Sequence, residues 1–247
     1  RGLHYTGFFL HQIGRSQAAA AANAEALALF RTLDDPTGIA DVLRNRGYAN
    51  LPHPEHLGAA RRDFEENLAI RRRIGDQPGV ALALTAVGSV AQQEGDLPQA
   101  QAHYEEAVAL FEKCGWSTSP HNGFVLLDLA ELATEQGRAV EAWNYNHRAL
   151  GILLQGRLFT EAAVCLEKMS SQALQAGDPV RAARLAGAAD RLRPLGGSTG
   201  IAPESAVPQL TQRLMGILGM DGCERELAAG RGLSDAEVLA FAAGVPA

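Results

Sequence analysis

The sequence repeats itself with a period of about 41 residues. Asp35 and Gly38 recur as Asp76 and Gly79, each 41 residues further along the chain. A fixed period of this length is typical of proteins in which small, similar units stack side by side. We therefore predict a row of equivalent units rather than one mixed core. A second turn motif supports this, because its glycine recurs at spacings of 42 and 40, as Gly95, Gly137 and Gly177.

Each unit carries the pattern of two amphipathic helices. Residues 79–94 and 97–111 both place apolar residues three or four positions apart, which marks one stripe of a 3.6-residue helix. A single helix pair cannot bury both stripes, so neighbouring pairs must stack. The stripes are Val80, Leu84, Val87 and Ala91 in the first helix, and Ala100, Tyr104, Ala107 and Phe111 in the second.

The composition favours an all-α chain. Aromatic residues make up 6% of the sequence and β-branched runs are scarce, so a large sheet would lack its usual filling. Alanine, leucine, arginine and glutamate, which are abundant, lose little on entering a helix. We predict an all-α solenoid of about five helix pairs over residues 1–193, followed by a C-terminal helical cap at 194–247.

The units resemble the tetratricopeptide repeat, whose signature is L-x-x-L-G in one helix and A-x-x-x-F/Y-x-x-A in the next. Asn146 and Ala186 replace the aromatic residue in two later copies, while an earlier copy keeps Phe64 but has Arg46 and Asn50 at apolar positions. A first copy is expected over residues 2–33, with Gly7, Ala19 and Ala26 in register. The best copy contains Leu84, Val87, Gly88, Ala100, Tyr104 and Ala107.

The repeat period is lost from about Leu195, where a helical tail is predicted at 204–218, 221–229 and 235–242. Ser234 and Glu237 have the spacing of a capping box at the start of the last helix. The segment 182–242 contains, in order, the run Ala-Arg-Leu-Ala-Gly-Ala-Ala at 183–189, a Pro-Glu helix, and the run Ala-Gly-Arg-Gly-Leu-Ser at 229–234 followed by Glu237. This order resembles the C-terminal sensor region of large actinobacterial-type regulators. In that family an ATPase of the signal-transduction type precedes the repeats, and some members carry a LuxR-type helix-turn-helix. The resemblance implies a sensor module of a multidomain transcriptional regulator, and the missing initiator Met predicts a fragment of a longer protein.

Charge and cysteine content narrow the partners and the location. The net charge of -6 does not favour a surface that follows phosphates, so no direct contact with nucleic acid is expected. No apolar run is long enough to predict a membrane span, and the first residues do not predict a signal peptide. The three cysteines lie about 50 residues apart, which fits neither a disulfide framework nor a zinc site. We expect reduced thiols and a cytoplasmic protein.

No constellation of residues predicts an enzyme, a metal site or a cofactor. The glycine-rich stretch at 196–200 lacks the lysine of a phosphate-binding loop. His53 and His56 flank a proline, and no third metal ligand is apparent, so a surface loop is expected there. Cys114 has no identifiable base or oxyanion donor, so an ordinary inter-repeat loop is expected around it.

The candidate binding surface is the set of residues that face outward on the first helix of each pair. In tetratricopeptide arrays these helices line a concave groove, so the repeat register selects polar residues from four successive pairs. They are Arg44, Asn45, Tyr48, Thr85, Ser89, Gln92, Asp128, Glu131, Thr134, Glu167, Lys168 and Ser171.

Two functions remain open from the sequence. The first is a non-enzymatic sensor whose groove binds a peptide, a protein or a small-molecule effector. The second is a scaffold that oligomerises its parent protein as a homo-oligomer, with Trp143 and Tyr145 forming an exposed apolar contact on a second helix.

Overall fold

The computed structural model describes residues 16–196 and 204–245, and within those ranges every regular element is helical. Two short 3₁₀ helices, Pro54–His56 and Arg193–Gly196, accompany the α-helices. The α-helices are α1 (Ser16–Thr32), α2 (Pro36–Asn50), α3 (Leu57–Arg73), α4 (Gln77–Gln93), α5 (Leu97–Lys113), α6 (Pro120–Glu135), α7 (Ala139–Gln155), α8 (Phe159–Gln175), α9 (Pro179–Leu192), α10 (Val207–Leu218), α11 (Met220–Arg231) and α12 (Asp235–Ala242).

The turn motifs seen in the sequence set the helix ends. Gly95, Gly137 and Gly177 have φ of 81°, 71° and 81° between the two helices of a pair, a left-handed conformation that glycine adopts without strain. Aspartates begin the helices at the other end: Asp35 and Asp76 each accept a hydrogen bond from the backbone N–H three residues on. The period of about 41 residues is therefore the spacing between equivalent helix ends.

The small and large residues of the repeat signature contact each other inside each pair. The ring of Phe64 lies against Gly47 and the ring of Tyr104 lies against Gly88, so closely that a Cβ on either glycine would collide with the ring. Both rings are fully buried. The predicted fold class, all-α with tetratricopeptide-like helix pairs and helices after the last pair, is confirmed.

The polar residue at an apolar position in the α2/α3 pair is neutralised by a partner. Arg46 forms a two-pronged ion pair with the buried carboxylate of Asp63, at 2.7 Å from Nε and 2.5 Å from Nη2. A fork of this kind satisfies both groups at once. This pair therefore packs through a charge pair where the other copies use apolar contact.

The chain forms two compact units, and the boundary between them in the sequence lies between Ser117 and Thr118. In the first unit, α1 to α5 pack in chain order. Arg71 of α3 joins successive helices there, because its guanidinium pairs with Asp41 of α2 and, at 2.7 Å, with Asp76 before α4. Its side chain is 9% exposed.

In the second unit, the tail helices pack against α7, α8 and α9. Helix α9 crosses α11 at Gly187 and Gly230, where an added Cβ would strike the carbonyl oxygens of Leu227 and Arg184 respectively. These two glycines belong to the segment that carried the resemblance to the regulators. Their absence of a side chain is what lets the two helix backbones touch.

The tail also corrects one expectation. Trp143 is 1% exposed, and its indole Nε1 donates to the backbone oxygen of Ala242 at 3.0 Å. Tyr145 is half-buried. The prediction that this aromatic pair forms an exposed contact is therefore wrong for Trp143, because the last helix covers it.

The predicted tail helices are present with adjusted ends. The helix predicted from 204 begins at Val207, and the one predicted at 221–229 extends from Met220 to Arg231. The helix at Asp235–Ala242 and its Ser234–Glu237 capping box are confirmed. Residues 2–15 of the predicted first copy and 197–200 of the glycine-rich stretch lie outside the described residues. No helix in the described ranges has both the length and the hydropathy needed to cross a bilayer.

Candidate ligand-binding site

Four residues predicted from the repeat register line one cavity in the second unit. Glu131 and Thr134 of α6 face Lys168 and Ser171 of α8 across a cavity of about 270 Å³. We call this space the α6–α8 cavity. Its other lining residues are Ala130, Asn146, Gln172 and Gln175.

A charge pair crosses the cavity. Lys168 Nζ lies 2.6 Å from Glu131 Oε2, and both side chains are about half exposed, at 41% and 53%. Gln172 Nε2 donates to Thr134 Oγ1 at 3.3 Å, which makes a second link between α6 and α8. These contacts are at the protein surface, where water and ligands compete with them, so they are exchangeable contacts rather than fixed ones.

Asn146 of α7 occupies the position that the repeat signature gives to an aromatic residue. It is 1% exposed, and its Nδ2 donates to Gln172 Oε1 at 3.4 Å. Cys165 Sγ donates to the Asn146 backbone oxygen at 3.3 Å. The short amide side chain leaves open a space that a ring fills in the neighbouring repeat.

Asp128 lies one helical turn before Glu131 and is half-buried. Burial raises the pKa of its carboxyl to about 7, the negative charge of Glu131 adds to the rise, and the positive charge of Lys168 opposes it. Near neutral pH this carboxyl therefore changes charge beside the cavity.

Glu167 was selected with the groove residues, but it is buried and engaged by the tail. Its carboxylate accepts hydrogen bonds from Arg193, with Nη2 at 2.5 Å, and from Ser205 Oγ and the Ala206 N–H, at 2.9 and 3.0 Å. A carboxylate with this many donors is not available to a ligand. Lys168 faces the cavity and the adjacent Glu167 faces the tail, because consecutive helical residues point about 100° apart.

In the first unit, the predicted residues lie in different environments. Arg44 lines a separate cavity, also of about 270 Å³, together with Asn67, Arg71 and Trp116. Tyr48 is 41% exposed, and its ring packs edge-on against Phe64. Asn45 is half-buried.

The three predicted residues of α4 take part in contacts within their own helix pair. The hydroxyls of Thr85 and Ser89 donate to the backbone oxygens of Ala81 and Thr85, both at 3.0 Å. The hydroxyl of Tyr104 donates to Gln92 Oε1 at 3.0 Å and lies 3.3 Å from Ser89 Oγ. The hydroxyl of Tyr104 therefore occupies the polar side chains of Ser89 and Gln92.

The histidine and cysteine candidates from the sequence lie in different environments. His53 and His56 are exposed, as predicted, and His56 ends the short 3₁₀ helix Pro54–His56. All three cysteines are free, and burial raises the pKa of the Cys165 thiol to about 12, which suppresses the thiolate. Residues 16–196 and 204–245 contain no group of three or more His, Cys, Asp or Glu that could hold a metal ion.

Sequence reasoning missed half of the cavity lining. It selected residues only from first helices, whereas Asn146 belongs to a second helix and Gln172 and Gln175 lie further along α8. A signal was present, since the aromatic position of the signature holds Asn146. At this position the repeat lacks the aromatic ring that fills the space between its helices in the neighbouring pair.

Comparison with known proteins supports the repeat assignment. A family model described as tetratricopeptide repeat matches residues 57–113, which cover α3 to α5. This repeat is typically a non-catalytic scaffold for protein interaction. No curated protein sequence matches the chain.

Solved structures share the fold at low sequence identity. BtubC (BKLC) from P. vanneervenii matches with a TM-score of 0.67 and 15% identity, over 87% of this chain and 91% of that one. A kinesin light chain protein with nearly identical TPR-like repeats from Podosopora anserina matches with a TM-score of 0.60 and 16% identity, over 81% and 95%.

A third structure is a signal transduction ATPase with numerous domains and a tetratricopeptide repeat sensor, from Pyrococcus horikoshii. Its TM-score is 0.61 at 14% identity, and the match covers 92% of this chain but 38% of that one. At these identities the comparisons show a shared fold.

Proposed function

We propose that this chain is a non-enzymatic sensor module of a larger signal-transducing transcriptional regulator, and that the α6–α8 cavity binds its effector. One observation carries the proposal: Glu131, Thr134, Lys168 and Ser171 were selected by register alone, and they converge on one cavity. The effector is a peptide, a protein or a small molecule, and the module works in the cytoplasm.

The multidomain setting rests on two likenesses. Residues 182–242 resemble the sensor region of the regulators described above. The Pyrococcus horikoshii protein, whose fold this chain shares, is itself an ATPase with a tetratricopeptide repeat sensor. In this proposal residues 1–193 form the repeat array and 194–247 form the element that caps it.

Helix α8 provides the route from cavity to tail. Lys168 lies at the cavity, and the adjacent Glu167 holds Arg193 and Ser205, which flank residues 197–203 on either side. An effector that separates Lys168 from Glu131 would favour one setting of α8 and thus of the tail. Coupling of this kind is typically worth about 1–3 kcal/mol.

The proposal is tested in the full-length protein by measuring its transcriptional output with and without a cell extract that raises this output in the wild type. Glu131→Ala and Lys168→Ala should each abolish the response while the protein remains folded. Arg44→Ala tests whether the first-unit cavity takes part. The matched control is Glu66→Ala, because Glu66 also forms an exposed inter-helix ion pair, at 3.3 Å from Arg31. An unchanged response in both cavity variants overturns the proposal.

The alternative function is an oligomerisation scaffold. Since Trp143 is buried, its contact would have to use other apolar side chains, and Met215, Ile217 and Met220 near the junction of α10 and α11 are exposed. Sedimentation velocity of the purified chain separates the two functions. A species that stays monomeric at high concentration leaves the scaffold without support.

A further inference from the structure

The α6–α8 cavity lies where the preceding repeat keeps an internal tyrosine. In the α4/α5 pair, the ring of Tyr104 rests against Gly88 and its hydroxyl meets Ser89 and Gln92. The residues 42 positions later all line the cavity: Ala130, Glu131, Thr134 and Asn146. The cavity therefore replaces an aromatic side chain within the same helix-pair geometry.

The size of the cavity suits a single aromatic ring. An engineered apolar cavity of about 150 Å³ is sufficient to bind benzene. The α6–α8 cavity, at about 270 Å³, has room for a ring and a polar substituent.

The polar groups at the cavity match a neutral hydrogen-bond donor on that ring. Thr134 Oγ1 donates to the Ala130 backbone oxygen at 2.7 Å, and its lone pairs face incoming donors such as Gln172. Glu131 adds a carboxylate, which bonds to Lys168 through one oxygen. The register equivalents of these two residues, Gln92 and Ser89, are the ones that the hydroxyl of Tyr104 meets. An anionic substituent would be repelled by Glu131 and would have to break the Glu131–Lys168 pair to reach the lysine.

We propose that the α6–α8 cavity binds a phenol ring, with the hydroxyl donating its single proton to Thr134 Oγ1 beside Glu131 and the ring against Ala130. This inference rests on the proposed function and specifies its ligand chemistry. The phenol comes either from a tyrosine of a partner protein or from a free small molecule. Both present a ring with a neutral hydroxyl to the cavity.

The direct test is NMR titration of the ¹⁵N-labelled 247-residue chain with p-cresol and with N-acetyl-tyrosinamide. The side-chain amide signals of Asn146 and Gln172 should shift in a saturable way. Toluene, which lacks the hydroxyl, should bind about tenfold more weakly because one hydrogen bond is lost. N-acetyl-O-phosphotyrosinamide should cause no saturable shift at these signals. Absence of saturable shifts with both phenols overturns the inference.

A filling variant tests the location. Ala130→Gly combined with Asn146→Tyr rebuilds the glycine–tyrosine contact of the α4/α5 pair, so it should abolish p-cresol binding and raise the Tm. The control Ala130→Gly alone leaves the space open and should retain binding. Thr134→Val, which keeps the side-chain shape, should weaken p-cresol about tenfold even if the filling variant fails to fold. Wild-type affinity in a folded filling variant, or in Thr134→Val, contradicts the proposed position.

The two proposals fail in different ways. If the phenols do not bind but Lys168→Ala still abolishes the transcriptional response, the phenol assignment is overturned and the sensor function remains. If the phenols bind and the response is insensitive to both Glu131→Ala and Lys168→Ala, the sensor function is overturned and the phenol site remains. Binding of p-cresol without N-acetyl-tyrosinamide supports the site and identifies a free phenol as the source, whereas binding of both supports a tyrosine-bearing partner as well.

Discussion

The helix pairs α4/α5 and α6/α7 share one register, yet the first is filled and the second is open. In the filled pair, Gly88 admits the ring of Tyr104, which is 1% exposed. In the open pair, Ala130 and Asn146 stand at the same two positions and line a cavity. The comparison teaches that the glycine and the aromatic residue act together. Once both are exchanged, the backbone pattern persists while the space between the helices becomes available to another molecule.

The first helix of the open pair also carries carboxylates at two positions that are uncharged in the filled pair. Ala86, which is buried in α4, corresponds to Asp128 in α6, and Ser89 corresponds to Glu131. The filled pair satisfies its polar groups internally through the hydroxyl of Tyr104. In the open pair, carboxylates lie beside a cavity, where their charge can act on a ligand.

The largest expected difference between the pairs lies in the residue at the aromatic position. Tyr104→Ala should lower the free energy of unfolding by about 3–5 kcal/mol, because a large buried ring is removed. Asn146→Ala should cost only about 1 kcal/mol, since it removes two weak hydrogen bonds, one to Gln172 and one from Cys165. Urea denaturation measures both, and Tyr104→Phe is the control that isolates the hydroxyl. Equal losses for the two alanine variants would show that Asn146 packs as tightly as the tyrosine.

The next effect concerns the glycine. Gly88→Ala should destabilise the filled pair by about 1–3 kcal/mol, because the new Cβ collides with the ring of Tyr104. Adding Tyr104→Asn copies the open pair and should recover part of the loss, with a coupling energy of about 0.5–3 kcal/mol in the double-mutant cycle. Strict additivity of the two changes would contradict the idea that these positions form one unit.

A pH-dependent effect is expected at Asp128 of the open pair. Because burial raises the pKa of Asp128 to about 7 in the folded state, the fold binds a proton more tightly than the unfolded chain does. The contribution of Asp128 to stability is therefore fully present below pH 4 and is lost as the pH rises towards 7. Asp128→Asn should thus stabilise the protein at pH 8 by about 1–3 kcal/mol and much less at pH 4.

The measurement is the difference between the unfolding free energies of wild type and Asp128→Asn at several pH values. Glu66→Gln, at an exposed carboxylate of α3, is the matched control. A difference curve that is flat between pH 4 and pH 8 would mean that the carboxyl is not perturbed by its surroundings.

The smallest expected effect on stability comes from the charge pair across the cavity. Glu131→Ala should change the free energy of unfolding by no more than about 1 kcal/mol, because half-exposed ion pairs contribute little. The same variant should abolish the effector response, so binding and stability separate at this site. Thermal denaturation at low and high salt measures the first part, and a loss above 2 kcal/mol would assign Glu131 to the framework instead.

Much of the fold was predictable from the sequence because it follows from local chemistry. Local signals act within a few residues of the chain. They are the three- and four-residue spacing of apolar residues in the helices, the turn glycines such as Gly95 and Gly137, and the capping box at Ser234. The all-α fold class and the tetratricopeptide-like helix pairs follow from them. Trp143 was misjudged because α12, almost 100 residues away in the sequence, covers it.

The lining of the α6–α8 cavity was predictable in part. The repeat register fixes which helical positions are equivalent, so Glu131, Thr134, Lys168 and Ser171 could be selected in advance. The same rule also selected Glu167, which the tail occupies. Register specifies the direction of a side chain relative to its own helix, and it carries no information about what arrives from elsewhere in the chain.

The sequence by itself determined that this protein is a series of helix pairs, because helix periodicity, caps and left-handed glycines depend on near neighbours. Only the tertiary structure decided which positions are open and which are closed. Exposure depends on contacts between residues far apart in the chain. The tail buries Trp143 and Glu167, and Asn146 in place of an aromatic ring leaves a cavity between α6 and α8. Such contacts depend on volume and distance in space, which a sequence pattern does not contain.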